Sequence, residues 1–599
     1  MLITTEDLQN WVNSVMPKKT ISRVGFLSIA VLFVAFVIVC RLFFVQVVHG
    51  NLYRQEASNQ YVAHQEGGAF DRGAIFFSKK DGTPISAATL TTGYTLAVNP
   101  SVLADVSGTY EKLSAITPID KTTFLLRANK KDDPYEEIVK RLDDVTAKKI
   151  RALKIKGVGI YEEKRRSYPG GNLASHVLGF YGSNENTSGG QYGLEKYYED
   201  VLKRGDNKLY VNFFAEVFSN ISDIVSTNNK NNRLGEVVTS IEPSVQEELQ
   251  DQLHGIQEKY RTDSVGGIII DPQTGEIYAM AALPDFDPNS YNTASNTSVF
   301  TNPLVEKAYE MGSTIKPLTM AIGLDTGAVT AATTYNDKGT VIVEGSRLNN
   351  YDFKARGVVP MQEVLNQSLN TGVVFVEQKV GKTVFKNYMH NYGIGERTKV
   401  DLPGEIKGLA SNLDSPREVE CATASFGQGI AITPIAAVRA LSVLANGGNV
   451  ITPHVTKQIN YTFGFPGEPS TDPVRRVLKE TTSDEITRML VEVVDKALLG
   501  GTVKNPSYSI AAKTGTAQIA NPSGGYYSDR YLHSFFGYFP AYDPKFLVFL
   551  YAINPKGEAY ASHTLTEPFM NTANFLIKYY DIPPDRQPVE KIVIKKPTQ

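Results

Sequence analysis

The sequence predicts an α+β fold, built on an antiparallel sheet whose first and last strands meet. Short apolar runs typical of strands lie near residue 265 and again beyond residue 510, and helical patterns dominate between them. Strands at both ends of a domain with helices between them are typical of the α+β class. A length of 599 residues also exceeds what one hydrophobic core supports, so we expect two or more domains.

The C-terminal domain begins with a predicted hairpin. Residues 265–270 and 276–281 flank the turn sequence Asp-Pro-Gln-Thr-Gly at 271–275, which favours a β-hairpin. Further strands are predicted at 510–518, 533–539 and 546–553. Helices are predicted at 314–324, 361–379, 434–445 and 483–499. The predicted sheet therefore draws strands from both ends of the domain, with helices flanking it.

The N-terminal part of the chain has a different character. It combines short β-rich runs such as 94–98 with charged stretches of helical pattern such as 136–149, and shows no catalytic constellation. The polar run 227–233 predicts a loop and a domain boundary, before a strand at 237–241 and a helix at 244–253. We predict five segments: a tail (1–23), a membrane anchor (24–48), an N-terminal β-rich domain (49–232), a C-terminal domain (233–590) and a final tail (591–599).

Residues 24–48 predict a single uncleaved transmembrane helix. The run is apolar through residue 40 except for Ser28, and apolar residues resume after Arg41. About 20 to 25 helical residues cross a hydrocarbon core of about 30 Å. A buried core helix and a cleaved signal peptide are the alternatives, but the run continues past the length of a usual signal peptide. The basic residues before it are Lys18, Lys19 and Arg23, and they favour a cytoplasmic N-terminus. Everything beyond residue 48 would then lie outside the cytoplasm.

The composition gives no indication of nucleic-acid binding, a disulfide framework or metal binding. The formal net charge is −2, which does not suggest a nucleic-acid partner. The two cysteines, Cys40 and Cys421, cannot form a disulfide framework, and we expect Cys421 to be a small buried side chain. The eight histidines show no ligand spacing, so we predict no metal site and no cofactor.

Ser313 and Lys316 form an S-x-x-K motif at the start of a predicted helix. A helix N-terminus offers free N–H groups and the positive end of the dipole, and one turn brings the lysine amine beside the serine hydroxyl. Lys316 must be neutral to act as a general base, so its pKa must fall from about 10.4. Burial and a second cation, Lys513, would lower it. Taken alone, the motif also fits an ordinary helix cap with a solvated lysine.

Two further motifs follow in the chain. Ser368 and Asn370 interrupt an amphipathic stretch; Ser368 would pass a proton to a leaving amine, and Asn370 would orient Lys316 and a substrate amide. Ordinary capping residues are the alternative for this pair. Lys513, Thr514, Gly515 and Thr516 lie in a predicted strand, where glycine permits close approach of a peptide along an edge. Lys513 and the two hydroxyls would hold a carboxylate, and the N–H groups of Thr516 and Ser313 would form an oxyanion hole. A purely structural strand is the alternative there.

The order and spacing of these motifs resemble those of penicillin-recognising enzymes, of which the set is a known signature. Ser368 follows Ser313 by 55 residues, and Lys513 follows Ser368 by 145. The chain resembles a class B penicillin-binding protein over most of its length. Segments that carry the resemblance outside the three motifs are 72–75, 193–198, 271–277, 309–317, 401–405, 425–429 and 445–448.

This resemblance implies a monofunctional D,D-transpeptidase with an elongated pedestal and a serine β-lactamase-like catalytic domain. Ser313 would attack the penultimate D-alanine of a stem pentapeptide, and an amine from a neighbouring stem would resolve the acyl-enzyme. β-Lactams would acylate the same serine. No glycosyltransferase motif precedes residue 230, so a membrane glycan polymerase of the FtsW/RodA type and other division or elongation proteins are the implied partners. The protein would be anchored in the bacterial plasma membrane.

Some residues depart from the family pattern. Met311 stands where proline is usual, Leu369 is bulkier than the common residue, and residues 77–82 differ from the usual turn of the pedestal. Asn370 leans towards enzymes of septum formation, although an elongation role stays open. The other functions considered are a β-lactam hydrolase or sensor and a non-catalytic scaffold. Tyr526 and Tyr527 are predicted on a loop that rims the substrate groove, whereas core positions are predicted for Phe535 and Phe539.

Overall fold

The computed structural model describes residues 31–39, 41, 71–183, 188–204, 234–462 and 464–586. One unit comprises Met1–Gly68 and Asp206–Asn228, and its described residues, 31–39 and 41, are helical. The other unit comprises Ala69–Gly205 and Asn229–Gln599. No helix in these described ranges is both long and apolar enough to cross a membrane. Most of the predicted anchor, both predicted tails and the predicted loop at 227–233 lie outside the described residues.

The described elements are numbered in chain order. The strands β1 to β19 are Ile75–Ser78, Pro84–Val98, Glu136–Leu142, Val158–Ser167, Tyr181–Ser183, Ser188–Gly190, Gly235–Thr239, Ser264–Ile270, Ile277–Leu283, Thr334–Asp337, Thr340–Val343, Ser346–Asn349, Gly357–Pro360, Asn449–Val450, Thr456–Tyr461, Arg475–Arg476, Ala511–Ala520, Tyr526–Phe539 and Phe546–Ile553. The helices α1 to α17 are Val106–Ser114, Lys121–Ala128, Asp144–Ala152, Ser175–Leu178, Gly193–Tyr197, Glu199–Leu202, Pro243–Tyr260, Pro303–Glu306, Lys316–Asp325, Met361–Asn366, Asn370–Val380, Lys382–Asn391, Glu418–Ala424, Pro434–Ala445, Glu480–Glu492, Ala561–Thr564 and Thr566–Tyr579.

The C-terminal domain is built on a five-stranded antiparallel sheet in the order β17-β18-β19-β8-β9. The last strand, β19, pairs with the first, β8, so the prediction that the two ends of the domain meet is confirmed. Alternate residues of β19 enter different cores, because Phe549 packs with one cluster and Val548 with the other. β17 has one strand neighbour and forms the edge of the sheet.

Helices cover both faces of this sheet. On one face α7 and α17 pack in a core that contains Leu249 and Phe569. On the other face lie α9, α14 and α15, and all twelve residues of α14 are buried. α14 is therefore enclosed by protein, and its one charged residue, Arg439, donates to the Gly393 carbonyl at 2.7 Å. The predicted core residues Phe535 and Phe539 are fully buried, and so is Cys421.

A second sheet, which we call the pedestal sheet, has the order β15-β7-β1-β2-β3, and β4 also pairs with β2. β7 runs parallel to β1, and β15 pairs with β7. Two of its strands thus come from beyond the boundary predicted at residue 232. The turn between β1 and β2, where the sequence differs from the usual pedestal motif, closes with Gly82 at a φ of 82°.

Three predicted helices are wrong in extent or type. Residues 136–142 form β3, because they pair with β2, and the helix after them begins at the Asp143 cap, which accepts a hydrogen bond from the Thr146 N–H at 2.7 Å. The predicted helix 361–379 is two helices separated at Ser368. The predicted helix 483–499 ends at Glu492 and continues as a π turn, Val493–Ala497, whose main chain no longer follows the α pattern.

A buried ion cluster connects the short helices α5 and α6 to the pedestal sheet. The Glu195 carboxylate, with no exposed side-chain surface, accepts hydrogen bonds from Arg72 and Arg166 at 2.6 Å each and from the Tyr168 hydroxyl at 3.0 Å. Arg72 also pairs with Glu199 at 2.6 Å. Both guanidinium groups are almost fully buried, so Arg166 depends on this carboxylate for compensation of its charge, and Arg72 depends on it together with Glu199.

Replacing Glu195 with glutamine should destabilise the N-terminal domain by about 3–5 kcal/mol, since the buried Arg166 would lose its counter-ion and Arg72 would keep only Glu199. Urea unfolding measures the change. Glu137→Gln is the matched control, because Glu137 pairs with Lys140 at the surface and its loss should cost less than about 1 kcal/mol. Equal effects of the two substitutions would show that the cluster does not support the domain.

Candidate active site

Ser313 lies in a tight 3₁₀ turn, Gly312–Ile315, directly before α9. Gly312 adopts a φ of 57°, and its N–H donates to the Gly427 carbonyl at 3.2 Å. A Cβ at Gly427 would lie 2.2 Å from the Gly312 oxygen, so a larger residue there would displace the turn. Met311, which stands where proline is usual, has a buried side chain, so the core accommodates this replacement.

Strand β17 approaches the same turn from the other side. A Cβ at Gly515 would lie 2.4 Å from the Ser534 Oγ and 2.7 Å from the Met311 carbonyl oxygen. The Ser534 hydroxyl and the Thr314 hydroxyl both donate to that carbonyl, at 2.8 and 2.9 Å. The glycine of the third motif is therefore required for the edge strand to contact the turn that carries Ser313.

Two lysines from different elements converge on Ser368. The Lys316 ammonium contacts the Ser368 carbonyl oxygen at 2.5 Å and its Oγ at 3.1 Å. The Lys513 ammonium contacts the same Oγ at 3.1 Å and the Thr514 carbonyl oxygen at 3.0 Å. Both side chains are buried, with exposed fractions of 0% for Lys316 and 3% for Lys513.

This arrangement favours the neutral form of Lys316. Burial is the main cause that lowers the pKa of Lys316 well below its usual range, and the nearby charge of Lys513 lowers it further. Burial lowers the pKa of Lys513 to about 7. A neutral amine has a lone pair that can accept a proton from a serine hydroxyl, as a general base must.

The main chain at Ser368 has the left-handed conformation, with a φ of 54°. A non-glycine residue with positive φ is uncommon and costs about 1–3 kcal/mol. The break separates α10 from α11 and turns the hydroxyl and carbonyl of Ser368 towards the lysines. Leu369, the unusually bulky middle residue, is fully buried, and its N–H donates to the Val364 carbonyl at 2.9 Å.

Asn370 begins α11, and its Nδ2 donates to the Asn349 carbonyl at 2.8 Å. Within the described residues it forms no hydrogen bond with Lys316, so the orienting role of Asn370 stays a prediction. Behind it lies a buried carboxylate that the sequence did not reveal. Asp337 accepts hydrogen bonds from the Thr371 hydroxyl at 2.7 Å and from the Asn350 amide at 3.0 Å.

The remaining predicted site residues lie on β17. Thr514 contributes its carbonyl to Lys513, and the Thr516 Oγ1 accepts a hydrogen bond from the Ala561 N–H at 3.1 Å. The Ser313 hydroxyl makes no hydrogen bond to any other described residue. The structure thus brings together Lys316, Ser368 and Lys513, with Ser313 on the turn beside them.

Tyr526 and Tyr527 belong to the start of β18 rather than to a loop. The Tyr526 hydroxyl donates to both oxygens of Glu310 at 3.0 Å. Sequence reasoning did not single out Glu310, although it stands three residues before Ser313. Its place beside the S-x-x-K motif was the one feature of the sequence that pointed to a role for Glu310.

The combination of a serine turn, two buried lysines and an edge strand is that of a known family. A family model described as the penicillin-binding protein transpeptidase domain matches residues 265–574, more than half of the chain. The chain belongs to the penicillin-binding protein family. A second family model, the penicillin-binding protein dimerisation domain, matches residues 71–234. The resemblance and the two-domain α+β fold that the sequence predicts are therefore confirmed.

Individual family members are similar over most of this penicillin-binding protein. Stage V sporulation protein D of Bacillus subtilis is 30% identical over 531 residues, covering 87% of this chain and 80% of its own. A probable peptidoglycan D,D-transpeptidase, PenA, of Neisseria meningitidis is 26% identical over 600 residues, covering 97% of both chains. Penicillin-binding protein 2X of Streptococcus thermophilus shares the fold, with a TM-score of 0.68 at 20% identity over 86% of this chain and 81% of its own.

Replacing Lys513 with methionine removes one charge and keeps most of the bulk. Loss of the repulsion that lowers the pKa of Lys316 should raise that pKa, so the rise of the acylation rate with pH should move to higher pH. Stopped-flow acylation by a chromogenic cephalosporin between pH 5 and 10 measures the shift. A profile that keeps its midpoint while only its height falls would show that Lys513 does not tune Lys316.

Gly515→Ala should slow acylation of Ser313 by about 5- to 150-fold, because overpacking costs about 1–3 kcal/mol and the added methyl group pushes on the nucleophile turn. The matched control is Gly524→Ala on the same hairpin, where a Cβ has no neighbour within 4 Å, although its φ of 103° disfavours alanine locally. Labelling with fluorescent penicillin compares the two. An unimpaired G515A protein would contradict the close contact.

Proposed function

We propose that this protein is a serine-type peptidoglycan D,D-transpeptidase that cross-links stem peptides through an acyl-enzyme and is a target of β-lactams. The observation that carries the proposal is the convergence of two buried lysines on the Ser368 hydroxyl beside the turn of Ser313. Membership of the penicillin-binding protein family supports it, and so does the printed name of the PenA relative, a probable D,D-transpeptidase.

The chemistry begins at Ser313. Neutral Lys316 takes the hydroxyl proton, and the Ser313 Oγ attacks the penultimate D-alanine carbonyl of a stem pentapeptide. The N–H groups of Ser313 and Thr516 stabilise the oxyanion. Lys513 and Thr514, with Thr516, hold the terminal carboxylate of the substrate. The close contact of β17 with the nucleophile turn favours this geometry.

The acyl-enzyme then forms and is resolved. When the tetrahedral intermediate collapses, Ser368 passes a proton from Lys316 to the nitrogen of the departing D-alanine, and the C–N bond breaks. Asn370 orients the substrate amide. An amine of a neighbouring stem then attacks the ester carbonyl, its proton returns through the same groups to the Ser313 Oγ, and a new amide bond forms.

The segment order of the sequence supports a setting at the membrane. We infer that residues 24–48 anchor the protein in the plasma membrane as a single helix, with 1–23 in the cytoplasm and 591–599 as a tail. Residues 49–232 form the pedestal domain and 233–590 the transpeptidase domain, outside the cytoplasm. A membrane glycan polymerase of the FtsW/RodA type supplies the glycan strands, in septum formation or in elongation with other proteins of that machinery.

Ser313→Ala should abolish covalent labelling by fluorescent penicillin without changing the melting temperature, because no described contact of the fold depends on that hydroxyl. Ser523→Ala, at the exposed tip of the hairpin between β17 and β18, is the matched control and should label normally. In-gel fluorescence followed over hours measures both. Labelling of S313A at the wild-type level would refute the nucleophile assignment. Rapid loss of label from the wild type would favour a hydrolase, and no label at all a scaffold.

A further inference from the structure

Glu310 is a carboxylate beside the nucleophile that the proposed reaction does not use. It accepts hydrogen bonds from the Gly429 N–H at 2.9 Å and from the Tyr526 hydroxyl at 3.0 Å to each oxygen. Its side chain is partly buried, and no lysine, arginine or histidine among the described residues forms an ion pair with it. The carboxylate is fixed in position but lacks a counter-ion.

An unpaired carboxylate in this environment is costly, because burial penalises the charged form. Burial accordingly raises the pKa of Glu310, and the two hydrogen bonds only partly oppose this effect. Glu195 differs in this respect, because that buried carboxylate forms ion pairs with two arginines. A cation that arrives at Glu310 from outside the protein would remove the penalty.

The position of Glu310 indicates where such a cation comes from. Gly312 lies beside Thr516 and Ala517, since its Cβ would come within 3.1 Å of both residues. Tyr526, which holds Glu310, pairs with Ala520 farther along β17. Lys513, the nucleophile turn and Tyr526, the partner of Glu310, thus follow one another along the edge strand. The four steps from residue 516 to residue 520 span about 13 Å.

A substrate peptide that lies along this edge would meet these groups in turn. With its terminal carboxylate at Lys513 and its reacting carbonyl at Ser313, the residues that precede the D-alanines extend towards Glu310. Neighbouring stems are alike before they are joined, so a donor stem carries the same amine that an acceptor stem uses. A primary ammonium group is therefore available from either stem.

We propose that Glu310, held by Tyr526, binds a primary ammonium group of the stem peptide. This inference rests on the transpeptidase function proposed above and assigns a further substrate-binding residue to the same site. The ammonium forms a charge-assisted hydrogen bond with the carboxylate, which such a group makes more strongly than a neutral donor does. The ammonium belongs either to the side chain of the bound donor or to the arriving acceptor.

The test compares two soluble peptide donors that end in D-Ala-D-Ala, one with a free side-chain amine before the D-alanines and one with that amine acetylated. Release of D-alanine measures the donor arm. In the acceptor arm the acetylated donor is used, and the ratio of aminolysis to hydrolysis is followed as a free-amine peptide is added. The variants are Glu310→Gln, which keeps the shape, Tyr526→Phe, and Asp529→Asn, a control on the exposed start of β18.

In the donor arm we expect the wild type and D529N to favour the free-amine donor about tenfold or more, the range for a hydrogen bond to a charged group. In the acceptor arm only a free amine can react, so the preference there is an aminolysis-to-hydrolysis ratio about tenfold higher than in E310Q. One of the two arms should show it. E310Q should lose that preference and Y526F should lose part of it. The arm in which the preference appears identifies the stem that supplies the ammonium.

The inference is overturned if E310Q matches the wild type in both arms, whether or not the wild type favours the free-amine donor. Fluorescent penicillin labelling of the same samples separates the two proposals. Labelled protein without an amine preference refutes only the role of Glu310, whereas wild-type protein without label refutes the transpeptidase assignment itself.

Discussion

Two lysine side chains that are both excluded from water share one hydroxyl group, and the rest of the site depends on this contact. The ammonium nitrogens of Lys316 and Lys513 each lie 3.1 Å from the Ser368 Oγ, so they are at most about 6 Å apart. If both lysines were protonated, their repulsion and the loss of solvation would destabilise the folded protein. The protein relieves this loss when Lys316 gives up its proton, and a neutral amine beside Ser313 is what nucleophilic catalysis by a serine requires.

The fold supplies the three partners from three places. The edge strand β17 carries Lys513, the start of α9 carries Lys316, and the break between α10 and α11 carries Ser368. Their convergence requires close contact between main chains, which glycines allow at positions 312, 427 and 515. Helices pack on both faces of the sheet and hold these elements in the buried core, so the electrostatics of the site follow from the packing of the whole domain.

The sequence was sufficient to predict the sheet and its closure between first and last strands, and it singled out Lys316, Ser368 and Lys513, whose side chains converge in the structure. It was not sufficient for the break at Ser368, because polar residues interrupt the amphipathic stretch there but no glycine or proline marks the left-handed main chain at that position. The pairing of residues 136–142 with β2 likewise overrides their helical composition. The contact between Glu310 and Tyr526 joins residues 216 positions apart, and no local pattern reveals such a contact.

The proposed catalysis depends on a neutral Lys316 amine in the resting protein, and titration of this lysine tests that protonation state directly. Protein labelled with ¹³C at the lysine Cε position can be followed by NMR between pH 6 and 11, with a Lys316→Gln variant to assign the signal. We expect one lysine signal, absent from K316Q, that titrates well below the usual value of about 10.4. A Lys316 signal that stays in the ammonium form until pH 10 would contradict a neutral general base.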